Sequence, residues 1–155
     1  MGLEVLNPLL GVWRDESRTG EPGSGRAGGE TWEPALGGRV VVREAWYELS
    51  GSPSPSTVRH EELLVVFVDL DSELRAIGWD NEGQVTRYRE VEADPDGRGV
   101  GFVSDPTAPG PRRWLQLRFE EPHRLSGVLS LHRSGEPTFS PYLRWTSVRA
   151  PPPSA

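Results

Sequence analysis

Apolar runs that are short, evenly spaced and nowhere helical in period constrain this chain more than any other feature. Turn-forming clusters interrupt it at Gly20–Gly29, at Gly37–Gly38 and at Ser50–Ser56, then at DLDSE, DNEG, ADPDGRG, DPTAPGPR, EEPH and RSGEP. Glycine supplies positive φ there, proline presets φ, and Asp, Asn and Ser side chains bond to the local backbone. The runs between are roughly 6 to 12 residues long and rich in Val, Trp, Tyr, Leu and Thr, the composition and length of strands. They predict ten strands: Val12–Arg18, Gly29–Leu36, Arg39–Leu49, His60–Asp69, Leu74–Asp80, Gln84–Ala93, Gly99–Asp105, Arg113–Glu120, Arg124–His132 and Thr138–Arg149. No helical periodicity is sustained over three turns. Leu3–Leu10 reads as a short helical plug using Leu3, Leu6 and Leu10, with Pro8 near its start or breaking it.

Alternation separates two faces. In RRWLQLRFE, Leu115, Leu117 and Phe119 point one way and Arg112, Trp114, Gln116 and Arg118 the other; in RLSGVLSLH, Leu125, Leu129 and Leu131 oppose Arg124, Ser126 and Ser130. With no helices to cover an open sheet, a sandwich or a closed barrel remains. Short successive turns favour neighbours in sequence as neighbours in space, and closure removes both edges. The expected fold is all-β: one closed antiparallel up-and-down β-barrel of about 8–10 strands over residues 1–149, followed by a disordered tail, 150–155.

At 155 residues the chain is long enough for one sizeable core. The mean hydropathy is only -0.53, but six Trp, four Phe and three Tyr supply burial area. Every one of the 17 basic residues is Arg, so lysine Schiff-base chemistry is excluded. Zero Cys excludes thiol nucleophiles, disulfides and Cys-rich zinc sites. Arg in place of Lys with abundant Gly, Pro and Ala suits a GC-rich bacterial genome. A net charge of -6 argues against nucleic acid or an anionic membrane as partner. The N-terminus has no basic n-region and its apolar stretch is broken by Glu4, Asn7 and Pro8, so no signal peptide is read, and no apolar run is long enough to span a bilayer. A cytoplasmic protein is expected.

The stretch LLGVWRDES, with Gly11 and Trp13 in a Gly-x-Trp pair on the first strand, resembles the opening of the calycin barrels, which include the lipocalins. In that group the tryptophan closes one barrel end and an arginine of the last strand packs across it, a role the resemblance offers to Arg144 or Arg149. Leu36, Gly37, Gly38, Arg39, Glu44, Trp79, Asp80 and Asn81 follow in an order similar to a bacterial family of uncharacterised lipocalin-like barrels, over roughly the first half to two-thirds of the chain. RSGEPTFSPYLRW resembles the family's terminal hairpin, with Phe139 where an aromatic is usual. Nitrobindin-type haem barrels share the opening and ligate iron through a late-strand histidine; here the final strand carries Tyr142, Arg144 and Trp145 instead.

Candidate sites are few. Glu44 shares parity with Val40, Val42 and Trp46; if that face is the lumen, the carboxylate needs a cation, which Arg87, Arg89 or Arg144 could supply. Such a pair would orient a polar head group or simply bridge the interior, and the structural role is favoured. Trp46, Trp79 and Tyr88, with Asp80, would line a pocket for a flat or acyl ligand, against the plainer reading of the Trp set as core. Trp114, on a polar face, would mark an oligomer contact such as a homodimer. His123 is read as a turn residue, His60 as surface-paired with Glu61 and Glu62, and His132 as a surface histidine ahead of a haem or metal ligand. The acidic clusters coincide with turns, their spacing is not that of a calcium loop, and GEPGSGRAGG is no phosphate cradle.

Three functions stay open. The first is binding of a small hydrophobic or amphipathic molecule in the barrel, without catalysis and without a cofactor, favoured because no nucleophile–base set is present. The others are isomerase or hydratase chemistry on Glu44 or Asp80, and haem binding through His132.

Overall fold

The structure, a computed structural model, describes residues 2–20, 27–49 and 58–151; most of the Gly20–Gly29 loop, the Ser50–Ser56 loop and tail residues 152–155 lie outside the described residues. The strands are β1 (Gly11–Gly20), β2 (Gly28–Ala35), β3 (Val40–Leu49), β4 (Val58–Val68), β5 (Leu74–Asp80), β6 (Val85–Ala93), β7 (Gly99–Ser104), β8 (Arg112–Glu121), β9 (Arg124–His132) and β10 (Ser140–Arg149). Each pairs antiparallel with its sequence neighbour, and β1 also pairs with β10, closing the barrel. This is the expected up-and-down meander, with all ten strands within a few residues of the predicted bounds.

Leu3–Leu9 forms a 3₁₀ helix that plugs one end. Its threefold period brings Leu6 and Leu9 to full burial, so the buried pair differs from the α-helical face expected from Leu3, Leu6 and Leu10. Trp13 rests on this plug and donates from Nε1 to the Leu9 carbonyl at 2.8 Å. Arg149 crosses the other side of the indole, its guanidinium carbon 4.3 Å from the ring centroid, and donates to the carbonyls of Leu10 (2.6 Å) and Pro8 (3.0 Å). Of the two arginines offered for this role it is therefore Arg149; Arg144 is exposed on the outer face. The bulge at Tyr142 fixes this outcome, because it sets which alternate residues of β10 turn inward, namely Leu143, Trp145 and Ser147. Gly11 sits at φ +125, and a Cβ there would come within 2.7 Å of Arg149 Nη1. The first glycine of the Gly-x-Trp pair thus leaves room for the arginine that covers the tryptophan.

Bulges also decide the lumen of β1 and β6. In β1 the register shifts between Asp15 and Ser17, so Trp13, Asp15 and Arg18 all turn inward although Arg18 is of the opposite parity. In β6 a shift between Tyr88 and Glu90 brings Tyr88 and Val91 to the same side. The Gly37–Gly38 turn is wider than two residues: Leu36, Gly37 and Gly38 all have positive φ, and the Arg39 amide bonds to the Leu36 carbonyl at 3.4 Å. Ala35 pairs with Val40 across it, which puts Trp32 opposite Arg43.

Candidate functional site

The plugged half of the lumen is apolar, filled by Leu6, Leu9, Trp13, Trp32 and Phe102. Around and beyond it the inward face is charged. Arg43 is buried on β3, with Glu30 on β2 and Glu62 on β4 flanking it two residues further along, where both lie opposite Ala45. The small Ala45 side chain lets the guanidinium reach both carboxylates diagonally. Arg43 Nε donates to Glu30 Oε2 at 2.7 Å and Nη1 to Glu62 Oε2 at 3.2 Å. Burial alone would disfavour its charge, but the two carboxylates raise its pKa above the ordinary arginine value.

His60 extends the network. It is 7 % exposed, stacks on Tyr47 directly opposite at 4.7 Å between centroids, and meets Glu62 Oε1 through Nε2 at 3.0 Å. The surface reading of His60 therefore gives way to an interior one: parity with Leu64 and Val66 turns it into the barrel. Burial works against charging His60, yet the Glu62 hydrogen bond and charge raise its pKa above the usual imidazole value. Burial likewise works against the Glu62 carboxylate, but His60 and Arg43 outweigh it and hold Glu62 at about 2. Beyond Tyr47, Arg18 lies between the Tyr47 and Trp145 rings at 4.4 and 4.9 Å and pairs with Asp15 at 2.8 Å.

These shifts set a pH optimum. The stabilisation from Glu62 is present above its unfolded value of 4.5 and is lost as pH falls through about 2. That from His60 is complete below 6.5 and is lost as pH rises through the elevated folded value. Maximal melting temperature is expected between about pH 5 and 6. In a pH series of thermal melts, His60→Phe should flatten the decline on the alkaline side of that window; an unchanged alkaline slope would count against the pairing.

A cavity of about 30 Å³ lies beside the network and opens outward; with its mouth the space totals about 340 Å³. Arg43, Glu62, Leu64, Thr86, Tyr88, Arg113 and Leu115 line it from within, Leu63, Trp79, Asp80 and Gln84 stand at its mouth, and Gly78 contributes no side chain to fill it. Arg113 was not singled out in the sequence, although it shares parity with Leu115 and Leu117 and so points the same way. Its Nη1 bonds only Thr86 Oγ1, at 3.3 Å, and among the described residues it forms no salt bridge. Burial pushes the Tyr88 phenol up to about 12, with Arg113 opposing the rise, so the ring faces the cavity as a neutral donor.

The sequence candidates divide between the two sides of the wall. Tyr88 is inside and Asp80 lies at the cavity rim, where its Oδ1 accepts from the Glu82 and Gln84 amides at 2.9 Å each and caps the β5–β6 turn. Glu44 is exposed on the outer face, since Arg43 and not Glu44 shares the inward side with Trp32. Trp46 is also outside, under Arg59 at 3.9 Å, and Arg87 and Arg144 are exposed there; Trp79 is exposed as well, but it lines the mouth of the cavity that Tyr88 and Asp80 also line. Gly37 and Gly38 shape the turn at an exposed barrel end. Trp114 is half-buried on the outside, its edge against Phe139. His132 meets the Glu136 carbonyl at 2.8 Å and leans on Phe139, away from the lumen. Among the described residues no three acidic or histidine side chains group to hold a metal ion.

Fold and lumen together define a closed ten-stranded antiparallel barrel, consistent with a calycin-like barrel, whose interior is apolar at the plugged end and charged beyond it. Compared with protein-family models and with curated proteins, the chain matches none. No helix among the described residues is long and apolar enough to cross a membrane.

Proposed function

We propose that the protein binds a small amphipathic molecule in the barrel interior, without chemistry of its own. The observation that carries this reading is Arg113: a cation lining an interior cavity whose only described partner is a threonine hydroxyl, beside a neutral tyrosine and two leucines. An arginine fork accepts a carboxylate or similar anion bidentately, and the desolvated setting strengthens the contact. Leu64 and Leu115 offer the apolar part of such a ligand a dry surface. Arg43 is already saturated by Glu30 and Glu62 and serves as fixed wall.

Titration calorimetry with acetate and propionate, acids small enough for the cavity and its mouth, and with the matched alcohols, tests this. Saturable binding of the acids but not the alcohols is expected, weakened about 10-fold or more by Arg113→Met, the loss of one charge-assisted bidentate contact. Equal binding by Arg113→Met, or none of either acid, would overturn the assignment.

A further inference from the structure

Four charged side chains line the cavity or its mouth: Arg43, Glu62, Asp80 and Arg113. Two of them are satisfied. Arg43 and Glu62 meet at 3.2 Å, and each has a further partner in the lumen, Glu30 for the arginine and His60 for the carboxylate. The other two are not. Arg113 bonds only Thr86, and Asp80 uses its Oδ1 to accept the Glu82 and Gln84 amides while its Oδ2 makes no hydrogen bond or ion pair among the described residues. One cation inside the cavity and one carboxylate at its mouth are thus left without a counter-charge. Register sets their spacing: Thr86, which holds Arg113 Nη1, pairs with Gly78, and Asp80 lies two residues beyond Gly78 on β5, ~7 Å along the strand. On the side away from Asp80, Tyr88 pairs with Ala76; it is 6 % exposed and lines the cavity with a hydroxyl that has no partner among the described residues.

From these two free charges we infer that the cavity takes a short ω-amino acid, its carboxylate inside on Arg113 and its ammonium at the mouth on Asp80. The inference rests on the reading of the cavity given above and names the far end of its ligand. The Arg113 fork and the Tyr88 hydroxyl donate to the carboxylate, and the methylenes lie against Leu64 and Leu115. At the mouth Asp80 accepts from the ammonium, with the Trp79 indole beside it as a further attraction for a cation. Charge beyond the mouth favours the same end. Glu61 and Glu82 are exposed next to Asp80, joined to its turn by the Asn81 amide on the Glu61 carbonyl and the Glu82 amide on Asp80. The nearby cations are placed elsewhere: Arg59 lies on the Trp46 ring at 3.9 Å, and Arg87 pairs with Ile77, three positions before Asp80. A ligand with a carboxylate alone leaves Asp80 unmatched, and one with a second carboxylate meets Asp80 with like charge.

Calorimetry of the full chain at about pH 6, where carboxylates are ionised and amines protonated, compares propionate, β-alanine and 3-hydroxypropionate, acids of nearly one size that end in a methyl, an ammonium and a hydroxyl. β-Alanine should bind at least ~5-fold more tightly than either of the others, and malonate less tightly than propionate. Asp80→Asn keeps an Oδ1 acceptor for the two turn amides and removes the charge; it should bring β-alanine to the level of propionate and leave propionate within ~3-fold of its wild-type affinity. In the wild type, which needs no variant to fold, β-alanine no tighter than 3-hydroxypropionate while propionate still binds would overturn this inference and leave the Arg113 reading standing. An Asp80→Asn chain that binds propionate and keeps the β-alanine preference would overturn it too. Failure of propionate and β-alanine alike would remove the Arg113 reading itself, and this one with it.

Discussion

Arg43→Leu is expected to cost about 3–5 kcal/mol, the loss typical of breaking a buried ion pair from one side. The guanidinium is 3 % exposed and is the cation serving both Glu30 and Glu62. Leucine fills comparable space, so the loss comes from charge rather than from a void. Glu62 keeps His60, but Glu30, whose side chain is 2 % exposed, keeps no cation. A carboxylate left so must either stay charged in a poor medium or take up a proton, and the variant should therefore gain stability relative to wild type as pH falls. Adding Glu30→Leu to Arg43→Leu should return part of the loss, since it removes the stranded acid. Urea denaturation at pH 5 and pH 8 measures all of this; a loss under ~1 kcal/mol would contradict the central role given to Arg43, out of a total stability that for such a domain is of order 5–15 kcal/mol.

Trp13→Ala should lose a similar ~3–5 kcal/mol, by cavity formation instead of charge. Trp13 is 1 % exposed, tilts against Phe119 at 5.9 Å, and joins the N-terminal plug to the last strand through the Leu9 carbonyl and Arg149. Its removal takes out a large packed ring, leaves the Leu9 carbonyl without its indole donor and deprives Arg149 of the ring face. The plug should then detach, seen as faster amide exchange across Leu6 to Leu10. Trp46→Ala is the comparison: on the outside of the wall it should cost no more than ~1 kcal/mol. Equal losses for the two would mean that the closed end is not held by Trp13.

The strand count, the antiparallel order and the barrel plug were legible because each follows from local chemistry. Turn residues mark the ends of runs, and alternation marks faces, so the separation of Leu115 and Leu117 from Trp114 and Gln116 needed nothing beyond period two. The lumen charges were harder. In VVVREAWYE both parities hold apolar residues, and Glu44 keeps company with Val42 and Trp46 as plausibly as Arg43 does with Val41 and Tyr47. A clue existed across the hairpin: with a four-residue turn at Leu36–Arg39, Trp32 pairs with Arg43, and an inward tryptophan carries the arginine in with it. A two-residue turn at Gly37–Gly38 gives that same register, but nothing local to β2 marks Trp32 as the inward residue.

The amino-acid order alone determined how many strands form and that neighbours pair, since backbone preferences and alternation act over a few residues, while the resemblance of the Gly-x-Trp stretch to calycin barrels pointed to Gly11 and Trp13 at a closed end. Only the closed barrel decided which face of each strand became the interior. A one-residue bulge at Glu16 or Tyr142 reverses every side chain beyond it, and such a bulge is chosen by the whole ring of ten strands meeting without a gap. That global condition put Arg43, His60, Glu62 and Arg113 in the lumen and left Glu44, Trp79 and Arg87 facing out.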